Sequence, residues 1–169
     1  MPSSSNGIRR VGFSLGSNLG DRLATLESVC DHLSDLFGVL RLSQVYETEP
    51  VGCPDGTPPY LNACVEVETD MPAEEILRYC QQIEQELGRT RSGIYGEART
   101  CDIDILYCGD EIVTSETLLL PHPRAHERAF VLLPLCDIDS RMTLPGQTLN
   151  VRQLLDKLTS HQAVTPFPL

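Results

Sequence analysis

Two carboxylates two residues apart, Asp102 and Asp104, stand in the segment Arg99-Thr100-Cys101-Asp102-Ile103-Asp104-Ile105-Leu106. Cys101, Ile103 and Ile105 alternate with them, as on a strand with one apolar face and one polar face. On such a strand the two acidic stems stand about 6.5–7 Å apart. That spacing can reach a pair of hard cations, which in two-metal sites lie about 3.5–4 Å from each other. Arg99, permanently charged and shaped for phosphate, lies just ahead. Alone, an Asp-x-Asp pair is more often the outward face of a half-exposed strand, so other segments must decide.

Those segments are individually weak. Gly16-Ser17-Asn18-Leu19-Gly20 invites a phosphate-loop reading, because glycine-rich turns into helices bind anions. The Gly-Lys-Ser/Thr ending is absent, which excludes a Walker-type NTPase and leaves a plain strand-to-helix turn as the commoner meaning. Lys157 is the only lysine, so phosphate chemistry would rest on arginine, histidine, backbone amides and metal. Arg89 and Arg91 read alone as solvated charges, and His122 between two prolines suits a ligand-pointing side chain or a turn. Arg124 and Arg128, four apart, share a face if a helix begins early enough, although Glu127 between them offers a surface ion pair. Tyr60 and Asn62 oppose the aliphatic face of their strand, where a buried amide must find a partner in backbone or in a heterocycle. Phe130 reads by default as core.

Composition narrows the classes. The 169 residues suffice for one domain with a hydrophobic core, expected over 8–169 after a loose leader, Met1 to Gly7, that lacks a signal peptide's apolar run. A net charge of −11 argues against a general nucleic-acid or anionic-membrane binder. No apolar stretch approaches the ~20 residues of a transmembrane helix. Seven cysteines, an odd and scattered set without Cys-x-x-Cys spacing, read as reduced packing thiols and not as zinc ligands. The expectation is a cytoplasmic protein with small-molecule partners, no nucleic acid and no membrane.

The elements that must position these residues follow from periodicity. Val11, Phe13 and Leu15 mark a first strand; Leu23, Leu26, Cys30, Leu33 and Phe37 mark a helix from Asp21 to Phe37, stopped by Gly38. Residues 39–46 suggest a second strand with a bulge. Residues 47–59, with four prolines and two glycines, read as a long loop. Leu61, Ala63, Val65 and Val67 mark a third strand from Tyr60 to Thr69. Ile76, Cys80, Ile83 and Leu87 mark a second helix beginning near Asp70 with Pro72 in its first turn. After the arginine- and glycine-bearing stretch 89–98 comes the carboxylate strand. The order strand–helix–strand–strand–helix–strand predicts an α+β, ferredoxin-like split βαβ sandwich, an antiparallel sheet with helices on one face. A hairpin over 111–120 and short helices near 125–136 and 150–160 would follow.

Taken together, Gly16-Ser17-Asn18-Leu19-Gly20-Asp21, Tyr46-Glu47-Thr48-Glu49-Pro50, Tyr60-Leu61-Asn62-Ala63, Arg99 to Ile105 and Pro121 to Leu132 occur in an order that resembles the 6-hydroxymethyl-7,8-dihydropterin pyrophosphokinases of folate biosynthesis. The resemblance covers about residues 11–160. It implies the ferredoxin-like fold and transfer of pyrophosphate from ATP to the pterin's hydroxymethyl group, releasing AMP. Asp102 and Asp104 would hold two Mg2+ ions. Arg91 and Arg99 would grip the transferred group or the leaving phosphate, and His122 and Arg128 the ATP phosphates, with Gln81 and the Ile105 backbone beside the nucleotide. Tyr60 and Phe130 would sandwich the pterin, with Asn62, Thr48, Pro50 and Val51 at its edge. A monomer is expected. The alternative, a ferredoxin-like small-molecule-binding domain that has lost catalysis, is opposed by the intact carboxylate pair and Arg99. A metal-dependent glycosyltransferase would need a larger nucleotide-sugar domain. The sequence departs from the family where an aromatic and Gly-Pro usually precede the arginine matched to Arg99; here Gly96-Glu97-Ala98 follows Tyr95.

Overall fold

The computed structural model describes residues 7–18, 20–49, 59–88, 101–158 and 164–168. The central strand β1 (Arg9–Ser17) is flanked by β4 (Tyr60–Thr69) and β5 (Cys101–Cys108), all antiparallel. Helix α1 (Arg22–Phe37) follows β1, and α2 (Ala73–Gly88) joins β4 to β5. Outside β4 lie β2 (Arg41–Leu42), β3 (Tyr46–Thr48) and then β8 (Val164–Pro166), giving the order β5-β1-β4-β3-β8 with β2 also on β4. β6 (Val113–Thr114) and β7 (Leu119–Leu120) form the expected hairpin. The split βαβ order is as expected.

Local chemistry sets the boundaries. Asp21 accepts the Ala24 amide at 3.1 Å and caps α1, and Gly38 ends it at φ +83°, where a side chain would be strained. α2 begins after Pro72, not at Asp70; the Pro72 carbonyl accepts the Glu75 and Ile76 amides, so the proline precedes the first turn. The second strand is divided because Ser43 Oγ, in place of a backbone carbonyl, accepts the Cys64 amide at 2.8 Å. Glu47 and Thr48 belong to β3 rather than to a loop. The segment near 125–136 is a 3-10 turn, Ala125–Glu127, followed by α3 (Ala129–Asp139); α4 (Val151–Lys157) starts at an Asn150–Gln153 capping box.

The helices do not all share one face. α1 and α2 cover Val11, Phe13, Leu15, Leu61, Val65, Ile103 and Ile105. α3 and α4 cover the other face, where Cys64, Leu106 and Tyr107 need burial of their own. Among the described residues part of that second face stays uncovered, and β1 shows why. Its residues there are small: Gly12, Ser14 and Gly16. Tyr107 fills the space over Gly12, where a Cβ would meet its ring at 2.3 Å, and reaches buried Glu66 with its hydroxyl. Among the described residues nothing comparable fills the space over Ser14 and Gly16. The six described cysteines are free, and burial pushes the Cys30 thiol up to about 11 and those of Cys80, Cys101 and Cys108 to about 12. They are unreactive packing groups.

Candidate active site

The open half of the sheet is the floor of a cleft of about 480 Å³. Strand pairing sets Gly16 between Asp102 on β5 and Asn62 on β4, so the glycine separates a charged wall from an amide wall. A Cβ at position 16 would lie 3.3 Å from Asn62 Nδ2 and 3.6 Å from Tyr60 Cδ1. The absent side chain is therefore part of the opening. Tyr60, Thr48, Arg128 and Phe130 complete the cleft with Ser14, Glu49, Arg124, Glu127 and Ala129.

Asn62 is 5% exposed and its orientation is imposed: Thr48 Oγ1, itself buried, donates to Asn62 Oδ1 at 2.6 Å. That bond assigns the carboxamide oxygen to Thr48, so the amide nitrogen is the end offered to a ligand. Arg128 lies over the Phe130 ring, 5.5 Å from its centroid. Glu127 pairs with Arg124 at 3.1 Å rather than with Arg128.

Asp102 and Asp104 project from β5 on the same side and form no salt bridge among the described residues. Burial, then repulsion from Asp104, raises the Asp102 carboxyl above its ordinary range. Glu84 of α2 accepts the Ile103 amide at 2.7 Å, between the two aspartates. Burial, followed by repulsion from Asp102 and Asp104, raises its carboxyl against the opposing effect of that hydrogen bond. Three carboxylates thus crowd one strand edge, a charge density that favours a cation. Among the described residues no group of three or more His, Cys, Asp and Glu could enclose a metal by itself. The donor set is two hard oxygen ligands open to a cleft, which fits a cation that completes its shell from substrate and water.

A second hollow, about 330 Å³, lies on the other side of Asp104, between Leu77, Ile105, the 115–119 segment and His122. Burial lowers the His122 pKa, partly offset by Asp104 and reinforced by Arg128 and Arg124. Its Nδ1 accepts the Arg124 amide at 3.1 Å, so the neutral ring carries its proton on Nε2, a donor available to an anion. Gln81 is exposed on α2, one turn beyond Leu77.

The structure therefore brings Thr48, Tyr60, Asn62, Asp102, Asp104, Arg128 and Phe130 to one cleft, and Asp104, Ile105 and His122 to the other. Arg91, Arg99, Pro50 and Val51 lie outside the described residues, as do Tyr95 and Gly96-Glu97-Ala98. Sequence reasoning did not single out Ser14 as a site residue, took Gly16 only for a turn, and left Glu84 without a role. The alternation of β1 carried a signal for Ser14 and Gly16, which face away from Phe13 and Leu15. For Glu84 the only signal was its place three residues after Gln81.

Fold and cleft define a class: a ferredoxin-like α+β domain in which Asp104 lines both an open cleft on the sheet and a second hollow. Residues 12–140 match the family model described as 7,8-dihydro-6-hydroxymethylpterin-pyrophosphokinase (HPPK). The 2-amino-4-hydroxy-6-hydroxymethyldihydropteridine pyrophosphokinase of Bacillus subtilis is 45% identical over 128 residues, 75% of this chain and 75% of that protein. The Haemophilus influenzae enzyme of the same name is 35% identical over 158 residues, 92% of this chain and 97% of its own length. The Pneumocystis carinii folic acid synthesis protein fol1 is 38% identical, but the chain spans only 21% of it. Among solved structures, the Plasmodium falciparum HPPK-DHPS A437G chain with STZ-DHP superposes with a TM-score of 0.69 at 16% identity, over 92% of this chain and 46% of that one. That likeness speaks to fold. The chain belongs to the 7,8-dihydro-6-hydroxymethylpterin-pyrophosphokinase family and is an ATP-dependent diphosphotransferase of folate biosynthesis. Among the described residues no helix is long and apolar enough to cross a membrane.

Proposed function

We propose that residues 8–169 act as one domain that transfers the β,γ-pyrophosphoryl group of ATP to the hydroxymethyl oxygen of 6-hydroxymethyl-7,8-dihydropterin, releasing AMP. The observation that carries the residue assignment is Asp104, which lines both hollows and so stands where two substrates would meet. The pterin enters the larger cleft between Tyr60 and Phe130, with its polar edge on Asn62, aimed by Thr48. Pro50 and Val51 are assigned to the same edge. ATP lies across the second hollow, with His122 Nε2 and Arg128 on its phosphates and the Ile105 backbone and Gln81 beside the nucleotide. Arg91 and Arg99 complete the phosphate grip.

Asp102 and Asp104 would hold two Mg2+ ions, which when bound neutralise the phosphate charge that would otherwise oppose attack. The chain's own work is positional. The recess aims the pterin hydroxyl at the β-phosphorus, and the second hollow holds the leaving AMP oxygen on the opposite side. Asp104 would also take the hydroxyl proton. Tyr60 and Phe130 exclude water, which would otherwise compete as nucleophile. We place the enzyme in the cytoplasm, a reading supported by the free thiols among the described residues, and take it to be a monomer.

The test is direct. With Mg2+, ATP and the hydroxymethyl-dihydropterin, the chain is expected to produce AMP and the pyrophosphorylated pterin in equal amounts. ADP in place of AMP, or no nucleotide turnover, would reject the proposal.

A further inference from the structure

Arg22, the first residue of α1, sits far from both hollows in sequence but close to the frame of the larger one. Its Nη1 donates to Glu47 Oε2 at 2.9 Å and to the Pro59 carbonyl at 2.9 Å. Its guanidinium lies over the Phe167 ring, 5.7 Å from the centroid, and the Phe167 amide in turn donates to the Val45 carbonyl. Glu47 immediately precedes Thr48, and Pro59 immediately precedes Tyr60. Thr48 and Tyr60 are cross-strand partners, with Asn62 two pairs further along opposite Tyr46. One cation thus holds β3 and β4 together at the point where the residues of the ring recess begin. The Arg22 and Glu47 side chains are only 22% and 31% exposed, so this bond is worth more than a fully solvated surface pair.

We propose that Arg22 is a positioning residue for the pterin recess: it fixes the spacing of Thr48 and Tyr60 and, through Thr48, the aim of the Asn62 amide. This inference rests on the assignment of the larger cleft to the pterin. Sub-ångström slack in that frame weakens ring binding without touching the nucleotide hollow, because no Arg22 contact reaches β5 or the 115–123 segment.

The test compares ligand affinities in the full chain, using fluorescence titration of the hydroxymethylpterin and calorimetric titration of a non-hydrolysable ATP analogue with Mg2+. Arg22→Ala is expected to weaken pterin binding about tenfold, the loss of one charge-assisted bond, while analogue affinity stays within about twofold. Arg22→Lys keeps the charge but not the planar fork, and should recover pterin affinity to within about threefold. Should Arg22→Ala fail to fold, Glu47→Gln, which leaves a neutral acceptor, must show the same one-sided loss at about threefold. Equal weakening of both ligands, or unchanged pterin affinity in a folded variant, overturns the inference. Asn62→Ala separates the two levels. If it leaves pterin affinity intact, the recess assignment fails; if it weakens the pterin while Arg22→Ala does not, only the role of Arg22 fails.

Discussion

Asp104→Asn should make the protein more stable and inactive at once. The substitution preserves shape and removes one of two like charges about 6.5–7 Å apart on β5. Coulomb repulsion at that distance runs from about 0.6 kcal/mol in water to about 2.5 kcal/mol at an effective dielectric of 20. Asp104 is exposed and Asp102 only partly shielded, so solvent screening puts the value near the lower end, about 1 kcal/mol. For a domain of this size that raises the melting temperature of the ligand-free protein by about 2–4 °C. AMP formation should fall by about a hundred- to a thousandfold, the scale of losing a preorganised electrostatic group. Mg2+ should raise the melting temperature of the parent and have little effect on the variant. Differential scanning fluorimetry with and without Mg2+, beside a coupled AMP assay, reads all three. A variant that turns over ATP and pterin normally, or that melts below the parent without metal, would refute the carboxylate-pair reasoning.

Other perturbations probe the surrounding walls. Thr48→Val removes the hydroxyl that holds Asn62 Oδ1, and should weaken pterin binding by about 1–2 kcal/mol, or 5–30-fold, in a fluorescence titration while leaving ATP affinity unchanged. Gly16→Val drives a branched side chain toward Asn62 Nδ2 and Tyr60, and should raise the pterin KM about tenfold or more with the fold retained by circular dichroism. Glu84→Ala leaves the Ile103 amide without its acceptor and should cost about 1–3 kcal/mol in urea unfolding, whereas Glu84→Gln keeps an acceptor and should cost far less. The Glu84 carboxyl is raised in the folded state, so its contribution to stability is complete below its ordinary value of 4.5 and is lost as pH rises through the raised one. Glu84→Gln should therefore flatten the stability–pH profile over that interval, and an unchanged profile would contradict the crowding of carboxylates at β5.

Sequence periodicity carried the frame because a half-buried strand and an amphipathic helix leave repeats of two and about 3.6 residues. The apolar alternation of Cys101, Ile103 and Ile105 placed the aspartates on the open face, and Asp21 and Gly38 marked the ends of α1. The misses have physical causes as well. Ser43 replaces a backbone acceptor with its hydroxyl, an exchange with no periodic trace, so the strand at 39–46 divides unannounced. β8 is three residues long beside two prolines and exists only because β3 offers an edge. The second helical layer was missed because α3 is apolar all round and follows a turn, giving no face to orient. Within the site, side chains with their own polar chemistry were legible by type and order. Gly16 acts through volume it does not occupy, and Arg22 through a contact 25 residues away, and neither has a local signature.

The buried thiols give the molecule an internal gauge of its own breathing. Cys80, on the buried face of α2, lies in the core between the sheet and α1 and α2, while Cys64 lies beneath α3 with its sulfur donating to the Val131 carbonyl. Burial holds both protonated, so an alkylating reagent can mark either one only during a transient opening of its own layer. Timed labelling read by mass spectrometry would then report, without any introduced probe, whether the sheet loses its two coverings together or one at a time.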